Sequence, residues 1–242
     1  MSAPHWASHF YAGRTAVVIG GTSGIGHAIA TSFRNAGAIV HATGATEAEV
    51  AAATGEGIDF ARLDVRDARA VAAYADGFGP VMALVDCAGI NLRGGEFTLE
   101  GFETVIDVNL NGTMRVALAF RSHLKGGAML GIGSLFSSLG AGHAPGYAAS
   151  KGGVVQLVRS LALAFAPENI RVNALAPGWI ETPMTEAPRA NPVRNAELLA
   201  RMPLGRWGTP ADVAPAALFL CSPLASYITG AVLPVDGGYL VS

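Results

Sequence analysis

The chain has 242 residues, with 16 Lys and Arg against 18 Asp and Glu and a formal charge of −2; no basic surface speaks for a nucleic-acid ligand. Only 14% of its residues are charged and its mean hydropathy is +0.39, so it is expected to hide surface in a partner, most simply a copy of itself. Cys87 and Cys221 make no disulfide framework, residues 1–10 have neither the basic start nor the apolar run of a signal peptide, and no stretch approaches the ~18 apolar residues of a membrane span, which together predict a soluble cytoplasmic chain.

In chain order, short apolar runs alternate with helical stretches. Residues 15–20 (TAVVIG) are predicted as a buried strand and 25–35 as a helix ending at Gly37. A strand over 38–43, a helix over 45–53, a strand over 59–63 and a helix over 68–74 follow. Residues 81–85 make a fourth strand, 102–123 one long helix and 128–132 a fifth strand. Then come a helix over 148–166 with Pro167 beyond its end, a strand over 170–174, a helix over 210–221 and a last strand over 232–235.

Apolar strands without strict alternation, separated by helices, predict an α/β fold: a doubly wound parallel sheet of Rossmann type, one domain over residues 1–242. The Pro-rich stretch 177–203 lies past a strand's carboxyl end, where ligands bind in such sheets, and is predicted to be a mobile substrate lid over about residues 178–206. Helix 148–166 carries Val154, Val155, Leu157, Val158, Leu161, Leu163 and Phe165 nearly all round, so its outer face is expected to meet another subunit.

The first strand runs into Gly20-Gly21-Thr22-Ser23-Gly24-Ile25-Gly26, which opens the first helix. Glycines let the backbone turn tightly and approach a pyrophosphate, and the helix N-terminus offers free N–H groups and the positive dipole end. In this strand–turn–helix setting the pattern predicts a dinucleotide site. NAD and NADP are usually distinguished at the end of the second strand. Thr43, Gly44, Ala45 and Thr46 include no acid to repel a 2′-phosphate, and no Arg or Lys either. Backbone N–H groups and the Thr43 and Thr46 hydroxyls could hold the phosphate, so the cofactor reading leans to NADP over NAD. Asp64, ending the third strand, is either an acceptor for the adenine amino group or a helix cap or surface acid.

Tyr147 and Lys151 are spaced i, i+4, so on a helix their side chains point the same way. A free tyrosine titrates near ~10, and a neighbouring ammonium is expected to pull that value down. Ser134 could then hold a substrate oxygen beside the phenol; Ser137 and Ser138 compete for that role, and the spacing to Tyr147 favours Ser134. Cys87 reads as a small buried hydrophobe. His5 and His9 are i, i+4 with no third ligand following, so no metal site is expected.

Gly20/Gly24/Gly26, Asp64, Cys87-Ala88-Gly89, Asn109, Ser134, Tyr147, Lys151, Pro177-Gly178 with Thr182, and the terminal Asp236-Gly237-Gly238, in that order, resemble the classical short-chain dehydrogenase/reductase family over roughly residues 11–242. Within it, the pattern is similar to the 3-ketoacyl-acyl carrier protein reductase-like members. The resemblance implies an NAD(P)-dependent alcohol dehydrogenase or carbonyl reductase whose hydride belongs to the nicotinamide. It implies that Tyr147 is the general acid in reduction and base in oxidation. It further implies that Lys151 lowers the Tyr147 pKa and binds the nicotinamide ribose, that Ser134 positions the carbonyl, and that Asn109 holds a water linking Lys151 to solvent. Implied dinucleotide contacts are Gly20, Thr22, Ser23, Gly24, Ile25 and Gly26; Gly44, Ala45 and Thr46; Asp64 and Val65; Cys87, Ala88 and Gly89; and Pro177 and Gly178. Ile180 and Thr182 would orient the carboxamide. A homotetramer is implied as well.

The chain departs from the family pattern at Ile19, where Thr is usual, and at Asp86, where Asn is usual. Asp86 is either a buried carboxylate bonded to neighbouring N–H groups or a perturbation of the nicotinamide end of the site. Leu135, Phe136, Leu139, His143 and Trp179, with Met184 flanking, predict a mainly apolar, uncharged ketone or alcohol as substrate. Two other readings stay open. One is a dinucleotide-binding sensor or scaffold without turnover, for which degraded catalytic residues would be the usual mark. The other is a 3-oxoacyl-acyl carrier protein reductase, which needs a basic patch for its acidic carrier; Arg115, Arg121, Lys125 and Arg159 are scattered candidates.

Overall fold

Ala16 and Val18 pack into one apolar cluster, Val17 and Ile19 into another, and all four are buried. A strand buried on both faces must be covered on both, and alternation along the strand sends successive side chains to opposite layers. The computed structural model, which describes residues 5–242, is built on this arrangement. Its elements are α1 (His5–Tyr11), β1 (Thr15–Ile19), α2 (Gly24–Asn35), β2 (Ile39–Gly44), α3 (Glu47–Ala52), β3 (Ile58–Arg62), α4 (Ala68–Asp76), β4 (Ala83–Asp86), α5 (Leu99–Ile106), α6 (Gly112–Phe120), β5 (Ala128–Ile132), α7 (Pro145–Phe165), β6 (Arg171–Pro177), α8 (Glu186–Ala190), α9 (Pro192–Leu199), α10 (Pro210–Cys221) and β7 (Val232–Val235).

The seven strands form one parallel sheet in the order β3-β2-β1-β4-β5-β6-β7. The chain reverses direction across the sheet between β1 and β4, and that switch point opens a crevice at the strands' carboxyl ends. Ile19 is in register with Asp86, and Asp86 with Gly131, so the loops after β1, β4 and β5 emerge side by side. Helices α1, α2 and α10 cover one face through Tyr11, Ile29, Phe33 and Leu218. Helices α4, α6 and α7 cover the other through Val71, Phe120, Val158 and Phe165.

Four differences from the sequence expectations matter. The helix expected over 102–123 starts at Leu99 and is interrupted by a π-helical turn at Asp107–Asn111, with Asn109 inside it. Helix α7 begins at Pro145, whose fixed φ suits a first helical turn, and this places Tyr147 on the helix with Lys151. The outer face of α7 is mixed rather than wholly apolar: Gln156, Arg159 and Ser160 are exposed there beside Leu163 and Ala164. Helix α1 is absent from the sequence expectations. Its Tyr11 is fully buried and donates its hydroxyl to the Leu218 carbonyl on α10, at 2.5 Å. The side chain of His5, one half of the His5/His9 pair, lies outside the described residues.

The stretch 178–206 is folded. Helix α9 packs Leu198 into a small core with Leu135, Trp179, Met202, Trp207 and Tyr239, and α8 packs against α9. No helix among the described residues is long and apolar enough to cross a membrane.

Candidate active site

Two cavities open at the carboxyl ends of the strands. The first, of about 480 Å³, runs from the α2 N-terminus past the ends of β2, β3 and β4 to α7. Gly20, Thr22, Ser23, Gly24, Ile25, Gly26, Ala45, Asp64, Val65, Cys87, Ala88, Gly89, Tyr147, Lys151 and Thr182, all named above as implied dinucleotide contacts or catalytic groups, line it. Gly44, Thr46, Pro177, Gly178 and Ile180 do not. Thr46 instead caps α3, accepting from the Glu49 N–H, and Gly178 belongs to the second cavity.

The glycine loop can take a pyrophosphate. Gly20 has φ +71° and Gly24 φ +54°, conformations that favour glycine. A Cβ at Gly20 would lie 2.7 Å from the Ala88 nitrogen, so the two loops touch backbone to backbone. Ser23 precedes α2 without bonding any of its N–H groups by side chain. These open N–H groups at a helix N-terminus fit an anion, so the residues present fit a dinucleotide.

At the ribose end the donors expected to grip a 2′-phosphate are committed elsewhere. Thr43 is fully buried and accepts from the Gly20 N–H at 3.3 Å. The Ala45 N–H donates to the Glu49 carboxylate at 2.6 Å, and Glu49 lines the cleft. The signal for Glu49 was legible: Thr46-x-x-Glu49 is the spacing that folds an acid back over a helix start. Arg66, also missed, lines the cleft with its guanidinium bonded to both Asp64 oxygens at 2.6–3.1 Å. That pairing holds the Asp64 carboxyl below its usual value.

The side chains expected to react lie along both cavities. Tyr147 lines both, and Ser134 lines the second. Burial pushes the Tyr147 pKa up; the neighbouring Ser134 hydroxyl opposes the rise and the nearby Glu96 charge adds to it. The net direction is upward, and Lys151 is not among the groups that set it. The Lys151 Nζ lies 5.7 Å from the ring centroid and donates to the Ile132 carbonyl at 2.8 Å. Burial lowers the pKa of Lys151 itself.

Supporting bonds fix this geometry. Ser137 donates to the Lys151 carbonyl at 2.8 Å and accepts from the Ser134 N–H at 3.0 Å, so it braces Ser134, while Ser138 is exposed. Asn109 is fully buried. Its amide donates to the Ile90 carbonyl at 3.0 Å and to the Ser150 hydroxyl at 2.9 Å, and accepts from the Ile90 N–H at 2.8 Å. Its side chain thus ties the loop after β4 to α7. Glu96, buried and missed, accepts from the Leu92 N–H at 2.9 Å and from the N–H of Tyr147 itself at 2.8 Å.

Asp86 takes the first of its two sequence readings. It is 3% exposed, and its Oδ1 accepts from the Ala88 N–H at 3.2 Å, while Oδ2 has no hydrogen-bond partner among the described residues. Burial raises its pKa, opposed by Thr113, the Lys151 charge and the Ala88 N–H. The folded chain thus keeps a proton that the unfolded chain releases near pH ~4, and stability falls as pH rises above that value. Asp86→Asn keeps the Ala88 acceptor, and its NH2 can meet the Thr113 hydroxyl. Thermal melts should show Tm raised by about 2–4 °C at pH ~8 and unchanged at pH ~4.

The second cavity, of about 380 Å³, has Leu135, Phe136 and Trp179 in its lining. These are among the residues from which a mainly apolar, uncharged substrate is expected. The same lining carries Asn91, Arg93, His143, Thr185, Asn191 and Arg194, and Leu139 does not line it. Met184 lines both cavities. No residue signal marked Arg93, because its place depends on an unusual loop conformation.

With the geometry in hand, comparison with known proteins is direct. A family model described as enoyl-(acyl carrier protein) reductase matches residues 20–240. The 3-oxoacyl-[acyl-carrier-protein] reductase MabA of Mycobacterium tuberculosis (strain ATCC 25618 / H37Rv) is 41% identical over 233 residues, covering 94% of this chain and 93% of that protein. The 2-dehydro-3-deoxy-D-gluconate 5-dehydrogenase of Pseudoalteromonas atlantica (strain T6c / ATCC BAA-1087) is 38% identical over 246 residues, covering 94% and 96%. Among solved structures, a gluconate 5-dehydrogenase from Burkholderia cenocepacia J2315, in complex with NADP and tartrate, superposes with a TM-score of 0.91 at 32% identity, covering 98% of this chain and all of that one.

Proposed function

The chain belongs to the short-chain dehydrogenase/reductase family of NAD(P)-dependent oxidoreductases, and from that premise we propose that it interconverts a secondary alcohol and a ketone. The observation that carries this reading is the position of Tyr147, whose side chain borders the dinucleotide cleft on one side and the Ser134 cavity on the other. A bound nicotinamide supplies the hydride in reduction and accepts it in oxidation. Ser134 holds the substrate oxygen. In reduction the Tyr147 phenol gives its proton to that oxygen as the carbonyl carbon gains the hydride; in oxidation the phenolate takes the hydroxyl proton as the hydride leaves. Lys151 places a cation beside both the dinucleotide and the phenol, and Asn109, through Ile90 and Ser150, keeps the loop and α7 in register. A water held near Asn109 would let Lys151 exchange its proton with solvent.

The glycine loop, Asp64 and Val65, Cys87 to Gly89 and Thr182 are the proposed dinucleotide contacts, with the carboxamide end at Pro177, Gly178 and Ile180. NADP is the favoured cofactor, supported by its presence in the Burkholderia relative. Glu49 works against its 2′-phosphate from the rim of the cleft. Glu49→Gln should therefore raise kcat/KM for NADP relative to NAD by about 10-fold, measured with both cofactors against one substrate.

The test is turnover. The purified protein, given either cofactor and a panel of secondary alcohols and ketones, should change the nicotinamide absorbance band. Tight dinucleotide binding with no turnover on any substrate would favour the sensor reading. A carrier-linked reductase is supported by the likeness to MabA. Of the four basic side chains proposed for a carrier patch, however, Arg115 is paired with Asp107 and Arg121 with Glu168. Assembly into a homotetramer is supported by exposed Leu99, Leu118 and Leu163 on α5, α6 and α7, and sedimentation at micromolar concentration checks it.

A further inference from the structure

Arg93 has a backbone φ of +51°, in the left-handed region that side chains disfavour. Among the described residues the other non-glycine there is Asn169, a residue type that tolerates it. Arginine has no such tolerance, so the loop holds it against its preference. The Asn91 side chain accepts the Arg93 N–H at 2.9 Å and helps fix the turn. Backbone strain of this kind gathers where a protein grips a ligand.

The strained turn delivers the guanidinium into the cavity that contains Ser134 and Tyr147. One of its nitrogens donates to the Met184 carbonyl at 2.8 Å, which ties the loop to the lid. No carboxylate among the described residues pairs with Arg93. Arg194, on the rim of the same cavity, has Glu197 as its counter-ion. Among the described residues no Asp or Glu lines this cavity. The indole N–H of Trp179, which also lines it, has no hydrogen-bond partner among the described residues. The cavity that would hold the reacting alcohol is thus rich in hydrogen-bond donors and has one guanidinium without a counter-ion.

We propose that the substrate is a hydroxy acid or its oxo acid, and that Arg93 binds its carboxylate. This rests on the reading of the same cavity as the alcohol or ketone site. A guanidinium presents parallel N–H donors in the plane a carboxylate needs. The apolar wall of Leu135 and Phe136 would face the carbon skeleton, while Ser134 and Tyr147 hold the oxygen that reacts.

The experiment compares acids with their neutral twins. Secondary hydroxy acids (4-hydroxycyclohexanecarboxylate, gluconate and 3-hydroxybutyrate) are each assayed beside the corresponding primary amide, in the wild-type enzyme and in Arg93→Gly and Arg93→Lys. The best acid should exceed its amide in kcat/KM by about 100-fold in the wild type. That ratio should fall below about 5 in Arg93→Gly and be partly kept in Arg93→Lys. Glycine suits the left-handed turn, so Arg93→Gly should melt at the same temperature as the wild type or higher, which separates lost recognition from lost folding. Equal rates for acid and amide, or a preference that survives Arg93→Gly, would overturn the assignment while leaving a Tyr147-dependent oxidoreductase in place. Turnover of neither acids nor neutral alcohols would overturn both.

Discussion

Tyr147→Phe is expected to lower kcat by about 10³-fold while the dinucleotide Kd stays within about threefold. The phenol is the group bordering both cavities that can move a proton at the substrate oxygen. Removing its hydroxyl leaves the ring, its edge contact with Phe136 and the α7 backbone unaltered. Stopped-flow and titration calorimetry would separate the two readouts. A rate within tenfold of the wild type would rule out the proton-transfer role. The pH dependence has a definite sign. Burial holds the phenol above its ordinary value, so at neutral pH it is a proton donor. Reduction should be nearly flat from about pH 6 to 8, and oxidation should climb with pH across the same interval as the phenolate fraction grows.

Gly26→Ala should weaken dinucleotide binding by about 100-fold, equivalent to ~2.7 kcal/mol. A Cβ at this position would overlap the Gly20 carbonyl oxygen and press on the Cys87 Cβ at 3.1 Å. Neither neighbour can yield cheaply. Gly20 is itself packed against the Ala88 backbone, and Cys87 donates its N–H to the Ile19 carbonyl at 2.8 Å. The clash must open the loop at the point where α2 presents its free N–H groups. Calorimetry with NADP and NAD measures the loss, and a melting temperature recorded alongside shows how much of it is overpacking. Unchanged affinity would mean that the phosphates do not sit on this loop.

Much of this was readable from residue order, and what was not has physical causes. Strands 128–132 and 232–235 and helix 210–221 follow from apolar runs bounded by Pro and Gly, and their observed bounds coincide with the expected ones. The order of the sheet follows from parallel strands wound in both directions from β1. Lys151, Ser134 and Tyr147 stand out in the sequence because the proposed chemistry demands particular side chains at fixed spacing, and the fold lines one connected pair of cavities with them. Helix α1 could have been found: Trp6, Ala7, Phe10 and Tyr11 recur at helical spacing. Glu96 and Arg93 could not. Glu96 reaches across fifty residues of sequence to the N–H of Tyr147, and Arg93 matters because of a backbone angle that its residue type does not announce. The sequence reading of Lys151 weighed the charge next to a tyrosine and omitted the cost of burying both.

The π-helical turn between α5 and α6 makes chain length, as well as composition, a determinant of this site. A wide turn accommodates a surplus residue relative to the regular spiral on either side. Deleting one position from 107–111, a lesion that would misalign any ordinary helix by about 100°, could here restore a continuous α-helix. The repaired helix would be the better spiral, yet the Asn109 amide would turn away from Ile90 and Ser150. An insertion or deletion at that point is therefore a route by which a descendant of this protein could gain stability and lose its chemistry in one event.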